Sequence, residues 1–458
     1  MTDVSSGGNI NLEITPANTL SNGKISFKGG APVIQFIIGE QDRMLIGKSV
    51  RLCGQFRIQL DSNDNAASVP TSLNDGAELC LPARLGMYAC IDQLVLKSQE
   101  THQVIEHIRH YSRFASSYLP ITNALSDNVG HMGESSLTMP NYQLSQNSVV
   151  FTESNRTTGN QFCISLPCGL FNGVQDIPLS SEWGLRGLLV EIHLAPDANV
   201  LFTKGAGAAA FTDAFYELSD VKLVAEAVNP TPQMVKQLGS TFEYNSISSY
   251  FSSINSSNPI INFQLGMRRV LGVFVNFLAS SNINSLLWDG TATQPLINEG
   301  AAAVSPANIN QVIFTRGGTR FPLEYNIDTI QKTKSIEGIQ VVDAELTRQY
   351  LNSVKSFANL RRSMVSSRNT WLYDNALPAA GVLGNQLQAD KTAAEGGNNF
   401  GVGIAYDTIS GDGVDFSTQN WGLQMDCGLS TNRPHACYVF VHSKNTLVFN
   451  QTGLQVVN

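Results

Sequence analysis

The stretch Val50-Arg51-Leu52-Cys53-Gly54-Gln55-Phe56-Arg57-Ile58-Gln59-Leu60 is apolar at every second position, Gly54 apart, and mostly polar between. Successive side chains of a β-strand point to opposite faces, so this alternation predicts a half-buried antiparallel strand. Asp61-Ser62-Asn63-Asp64-Asn65 then breaks it with turn-forming residues. Further strand-like runs lie at 33–38, 88–96, 148–151, 162–166, 188–194 and 220–228. The second half adds 270–278, 311–315, 401–406, 423–427, 437–441 and 446–450. Many are separated by Gly, Pro and Asn clusters. Short strands at this density predict an all-β chain of sandwiches or barrels, not a βαβ fold.

Helical periodicity is confined to three places. In residues 101–119, Val104, Ile105, Ile108, Tyr111, Phe114, Ala115, Tyr118 and Leu119 form one apolar stripe that Pro120 should end. Residues 343–362 have Asp343 as N-cap and place Leu346, Tyr350, Leu351, Val354 and Ala358 on one face. Residues 232–238 form a short helix with Pro at the start and Gly239 just beyond its end. It follows Val228 and the loop Asn229-Pro230-Thr231, which predicts domains at 1–228 and 240–458 joined by a linker at 229–239.

The two halves resemble each other. Residues 162–185 lie over 400–423 without gaps, at a constant offset of 238. Phe162/Phe400, Gly173/Gly411, Trp183/Trp421, Gly184/Gly422 and Leu185/Leu423 are identical. Leu85-Gly86-Met87 leading to Val95 also matches Leu265-Gly266-Met267 leading to Val275, at offset 180. The change of offset predicts about 58 extra residues in the second half, around 286–340. A shared Trp-Gly-Leu triplet and one longer helix per half support a duplication.

At 458 residues the chain is long enough for two domains, each with its own core. Charged residues make up 14%, against about 25% in an average protein. The net charge of −8, with basic clusters no longer than Arg268-Arg269 and Arg361-Arg362, argues against direct nucleic-acid binding. The seven cysteines are scattered and form no CxxC pair. The opening MTDVSSGGNINLE lacks the charged and apolar regions of a signal peptide, so reduced thiols in a chain folded inside a cell are expected. Cys163 and Cys168 bracket a strand and are expected to pack in the core.

The search for chemistry names no catalytic, cofactor-binding or metal residue. Ile46-Gly47-Lys48-Ser49 is similar to the end of a phosphate loop, but Asp42 stands where that motif needs Gly and a strand follows where it needs a helix. His102, His107 and His110 lie in the first predicted helix without a His-Glu-x-x-His pattern, and no His-x-His pair of the cupin kind occurs. Asp407, Asp412 and Asp415 could line a calcium loop, but their spacing does not fit an EF-hand and a solvated acidic turn is expected. No Gly-x-Ser-x-Gly elbow is present.

Two tandem β-sandwich modules joined by a short helix resemble the double jelly-roll major capsid proteins of tailless icosahedral double-stranded DNA viruses. The segments that carry the likeness are Trp183-Gly184-Leu185 running into residues 188–194, then residues 216–228 before the linker, and residues 317–325. The polinton-like virus, adintovirus and virophage type is the nearest in pattern. The resemblance implies two eight-stranded antiparallel jelly rolls with a few short helices, and a non-enzymatic homotrimer acting as a pseudo-hexagonal capsomer. It also implies contacts with penton and minor capsid proteins, a place in the virion, and in this lineage often an internal membrane beneath the shell. The alternatives are a trimeric lectin-like adhesin, which should carry a signal peptide, and a jelly-roll enzyme, which needs a ligand cluster.

Overall fold

Sixteen strands carry the architecture. The computed structural model describes residues 9–18, 23–30, 32–59, 77–82, 85–122, 148–150, 160–173, 175–205, 214–238, 240–256, 258–280, 283, 311–321, 327–328, 333–336, 339–342, 401–406, 412–426, 435–450 and 453–458. In the first half these strands are β1 (Ile10–Ile14), β2 (Val33–Ile38), β3 (Arg51–Gln59), β4 (Ile91–Ser98), β5 (Val104–Arg109), β6 (Asn160–Ser165), β7 (Leu188–Leu194) and β8 (Phe215–Val228). In the second they are β9 (Thr241–Ile254), β10 (Ile260–Phe263), β11 (Val270–Ala279), β12 (Gln311–Arg316), β13 (Thr319–Arg320), β14 (Gly401–Ala405), β15 (Trp421–Asp426) and β16 (His435–Asn450).

Their pairing is the decisive observation. The first eight form antiparallel sheets in the orders β1-β8-β3-β6 and β2-β7-β4-β5. The next eight form β9-β16-β11-β14 and β10-β15-β12-β13, the same two orders with eight added to every number. Each set is an eight-stranded jelly roll of two Greek keys. Shorter strands extend this frame, among them Met44–Leu45 on β8 and Gly453–Val457 on β16.

Alternation builds each core. β8 buries Tyr216, Leu218, Val221, Leu223, Ala225 and Ala227 and turns Lys222, Val224 and Glu226 the other way. A bulge at Asp220, whose φ is +51°, shifts the alternation by one residue, so that Tyr216 and Leu218 before it and Val221 and Leu223 after it face the same core. In the second roll Trp421, Phe274, Val273, Val441 and Leu423 are fully buried or nearly so.

Two sequence expectations need correction. Residues 101–119 are not one helix: Val104–Arg109 is strand β5, and only α1 (Tyr111–Thr122) is helical, running past Pro120. β5 is rich in β-branched residues and finds a ladder partner in β4, which overrides the helical stripe. His110, with φ at +54°, makes the corner between strand and helix. The stripe is right from Tyr111 onward, since Tyr111, Phe114, Ala115, Tyr118 and Leu119 are all buried. The second correction concerns the offset of 180. Leu85-Gly86-Met87 precedes β4, the fourth strand of its roll, whereas Leu265-Gly266-Met267 precedes β11, the third. Both glycines have positive φ, so the two triplets share turn chemistry and not ancestry of position, and the figure of about 58 residues loses its basis.

The offset of 238 fares better, because it sets β6 beside β14, the sixth strand of each roll. Trp183 and Trp421 both stand at the approach to the seventh strand, but not equivalently. Trp183 is half-buried in the turn before β7, whereas Trp421 is the first residue of β15 and has no exposed surface. The short helix α2 (Pro232–Leu238) forms as expected, with the Thr231 hydroxyl accepting from the Met234 N–H. The predicted helix at 343–362 lies outside the described residues.

Candidate functional site

The two rolls meet along a seam between β5 and β9. Ser248 pairs with His107 in parallel, which fuses β2-β7-β4-β5 with β9-β16-β11-β14 into a single sheet. At this seam Glu106 is buried. Its Oε1 accepts from the N–H of Gly169 at 2.9 Å and of Ile247 at 2.7 Å, and its Oε2 from Leu170 at 2.9 Å. One carboxyl thus ties a loop of the first roll and strand β9 of the second to β5. Burial raises its pKa to about 7, although the three N–H donors and the Cys168 thiol pull the other way.

Backbone proximity and aromatic packing complete the seam. Gly169 lies so close to β9 that a Cβ there would stand 2.3 Å from the Asn245 carbonyl oxygen. The Tyr244 hydroxyl donates to the Ile105 carbonyl at 2.7 Å. From α1, Phe114 packs on Phe440 and the Arg113 guanidinium lies over the Tyr438 ring, which His110 at the corner before α1 meets edge-on. The Asn276 amide on β11 donates to the Arg113 carbonyl at 2.9 Å. The effect of this arrangement is mechanical, holding two rolls as one block.

The residues singled out from sequence are not brought together. Gly47–Ser49 is a short 3-10 turn in which Gly47 abuts the Phe171 backbone and Ser49 bonds Ile46 and Glu226, leaving no cradle for a phosphate. His102 sits in the turn before β5, and His107 on that strand bonds Gln93 at 2.9 Å. Asp407 lies outside the described residues. Asp412 pairs with Arg269, and Asp415 accepts from the Ser417 N–H, which lowers its pKa. Among the described residues no three His, Cys, Asp or Glu side chains cluster as metal ligands. Cys168 is buried, but Cys163 is only half-buried and faces away from the core beside Phe162 and Ile164, which corrects the expectation for it. Sequence reasoning passes over Glu106 as a neighbour of histidines; a lone carboxylate inside Val104-Ile105-Glu106-His107-Ile108 is the signal that could have found it.

Two rolls with one strand order, fused edge to edge, define a double jelly-roll protein. No protein-family model and no curated protein matches the chain. Solved structures do. The chain is similar to PBCV-1 VP54, in a crystal structure fitted into a reconstruction of the virophage Sputnik. That match has 10% identity and a TM-score of 0.54, with 99% of this chain and 97% of the other covered. A structure of the Sputnik virophage itself matches at 13% identity and a TM-score of 0.54, over 100% and 89% of the two chains. The Faustovirus major capsid protein matches at 9% identity and 0.52, over 98% and 92%. At these identities the likeness is one of fold, and it spans nearly the full length of every chain compared.

Proposed function

We propose that this chain is a major capsid protein, which trimerises into pseudo-hexagonal capsomers and builds the icosahedral shell of a DNA virus. The observation that carries the proposal is the repeated strand order held rigid by the seam. Three chains present six similar lobes, and six lobes fill a six-neighbour lattice site with only three copies. The functional units are residues 1–228, the linker 229–239 and residues 240–458. The chain's partners are other copies of itself, with penton and minor capsid proteins at the special positions of the shell and an internal membrane beneath it. Its place is the virion, after assembly inside the host cell. The work of such a protein is contact and not catalysis, and the low charge suits extensive subunit contacts, whose cores are depleted in Lys, Glu and Asp.

Light scattering coupled to size exclusion tests this directly, followed by negative-stain imaging. A trimer with a six-lobed outline is the expected result. A chain that stays monomeric or dimeric under every assembly condition would sink the reading, and a trimer that binds glycans but never tiles would favour the adhesin.

A further inference from the structure

Cys53 on β3 and Cys163 on β6 stand directly opposite each other in the antiparallel register, and their sulfurs are 3.0 Å apart. Directly opposed residues of an antiparallel pair have Cα atoms about 4.5 to 5.5 Å apart, inside the range a disulfide spans. Both side chains sit on the outer face of the β1-β8-β3-β6 sheet, opposite Phe162, Ile164 and Leu52, and both are half-buried, within reach of a small molecule. Lys222 on β8 is the next residue in the same cross-strand row, paired with Cys53 and ion-paired with Glu13 on β1, and Arg51 and Glu13 act on the Cys53 thiol in opposite directions. The other cysteines whose surroundings are described, Cys90, Cys168 and Cys437, are buried.

We propose that Cys53 and Cys163 form a redox-responsive modification site, which a small anionic disulfide such as oxidised glutathione converts to a cross-strand disulfide. Cys53 is the thiol held protonated, by its Cys163 neighbour at 3.0 Å first and by burial second, so Cys163 is assigned as the sulfur that loses its proton and attacks. It forms a mixed disulfide and releases one glutathione thiolate, which takes up a proton. Cys53 then loses its proton and attacks the Cys163 sulfur, and the second glutathione leaves as its thiol. Two protein S–H bonds and one glutathione S–S bond are consumed, and one protein S–S bond and two glutathione thiols result. Lys222 is ion-paired with Glu13 on β1, so its charge is largely spent on that partner, while Arg51 lies close enough to act on Cys53. The Cys163 thiol first and burial second hold Cys53 protonated, with Glu13 adding to them and Arg51 opposing, so closure is slow at neutral pH and accelerates in mild alkali. The bond would link residues 110 apart in sequence and brace β6, the edge strand of its sheet. The pair stands whatever the chain assembles into.

The test uses the full chain, purified under reducing conditions and then incubated with oxidised glutathione at pH 7 and 8.5. Intact mass should fall by two hydrogens, titratable thiols after denaturation should drop from seven to five, and peptide mapping should join Cys53 to Cys163. The unfolding temperature should rise. Cys53→Ser should stop at a glutathione adduct on Cys163, and Cys163→Ser should take up no glutathione at position 53 under the same conditions. Seven thiols counted after denaturation of wild type that was folded during exposure at pH 8.5, or a disulfide mapped to any other pair, would overturn the proposal even if neither variant folds.

Discussion

Replacing Glu106 by Gln should change how stability depends on pH, and the size of the change follows from the seam. The buried carboxyl has a pKa of about 7 in the folded chain against 4.5 for an ordinary Glu. Between those values the native state binds a proton that the unfolded state does not, so the stability Glu106 contributes is fully present below pH 4.5. It is lost as pH rises through 7. The whole span is on the order of 3 kcal/mol. The amide of the variant cannot titrate, and every other group is common to both proteins. Urea midpoints of wild type and Glu106→Gln, taken from pH 4.5 to 7.5, should therefore diverge toward acid, wild type gaining relative to the variant by that amount. Glu106→Ala should be worse at every pH. It strips acceptors from three buried N–H groups, each costing about 1 to 3 kcal/mol, offset in part by removal of the buried charge. A stability difference between wild type and Glu106→Gln that is flat across the range would refute the assignment of a raised pKa to this carboxyl.

Other substitutions probe the remaining links. Gly169→Ala should cost about 1 to 3 kcal/mol or more in thermal unfolding, because its Cβ meets the Asn245 backbone, which cannot move without parting the rolls. Gly266→Ala meets open space and should cost only about 1 to 2 kcal/mol, the penalty of a left-handed backbone. Trp421→Phe should lose about 2 to 3 kcal/mol, since the indole is fully buried and donates to the Tyr406 hydroxyl at 3.1 Å. Trp183→Phe, in a half-buried turn, should stay within about 1 kcal/mol of wild type; equal losses at the two tryptophans would mean that they are equivalent after all. Elemental analysis of pure protein should find no stoichiometric metal, Asp412 and Asp415 being engaged by Arg269 and Ser417.

Strands that bury one face and wet the other announce themselves, since alternation is a local property of the chain. Residues 33–38 and 188–194 are legible to the residue, and 50–60 to within one at either end. β9 is not, because Thr241-Phe242-Glu243-Tyr244-Asn245-Ser246-Ile247-Ser248-Ser249-Tyr250 is a mostly polar strand. Its ladder with β16 and its contact with β5 hold it in place, and both partners are remote in sequence. β5 escapes a local reading for the same reason: its spacing suits helix or strand, and only the partner strand decides.

What the sequence determined by itself is the β class, the helix at 232–238 and the repeat linking 162–185 to 400–423. Periodicity, caps and turn residues act within a few positions, so they can be read without knowing the fold. Only the tertiary structure decided the strand order, the fusion of the two rolls through β5 and β9, and the placement of Glu106 and of the Cys53–Cys163 pair. The contacts of Glu106 and of the cysteine pair join residues 63, 110 and 141 positions apart, and no local pattern encodes which distant backbone N–H a carboxylate will find.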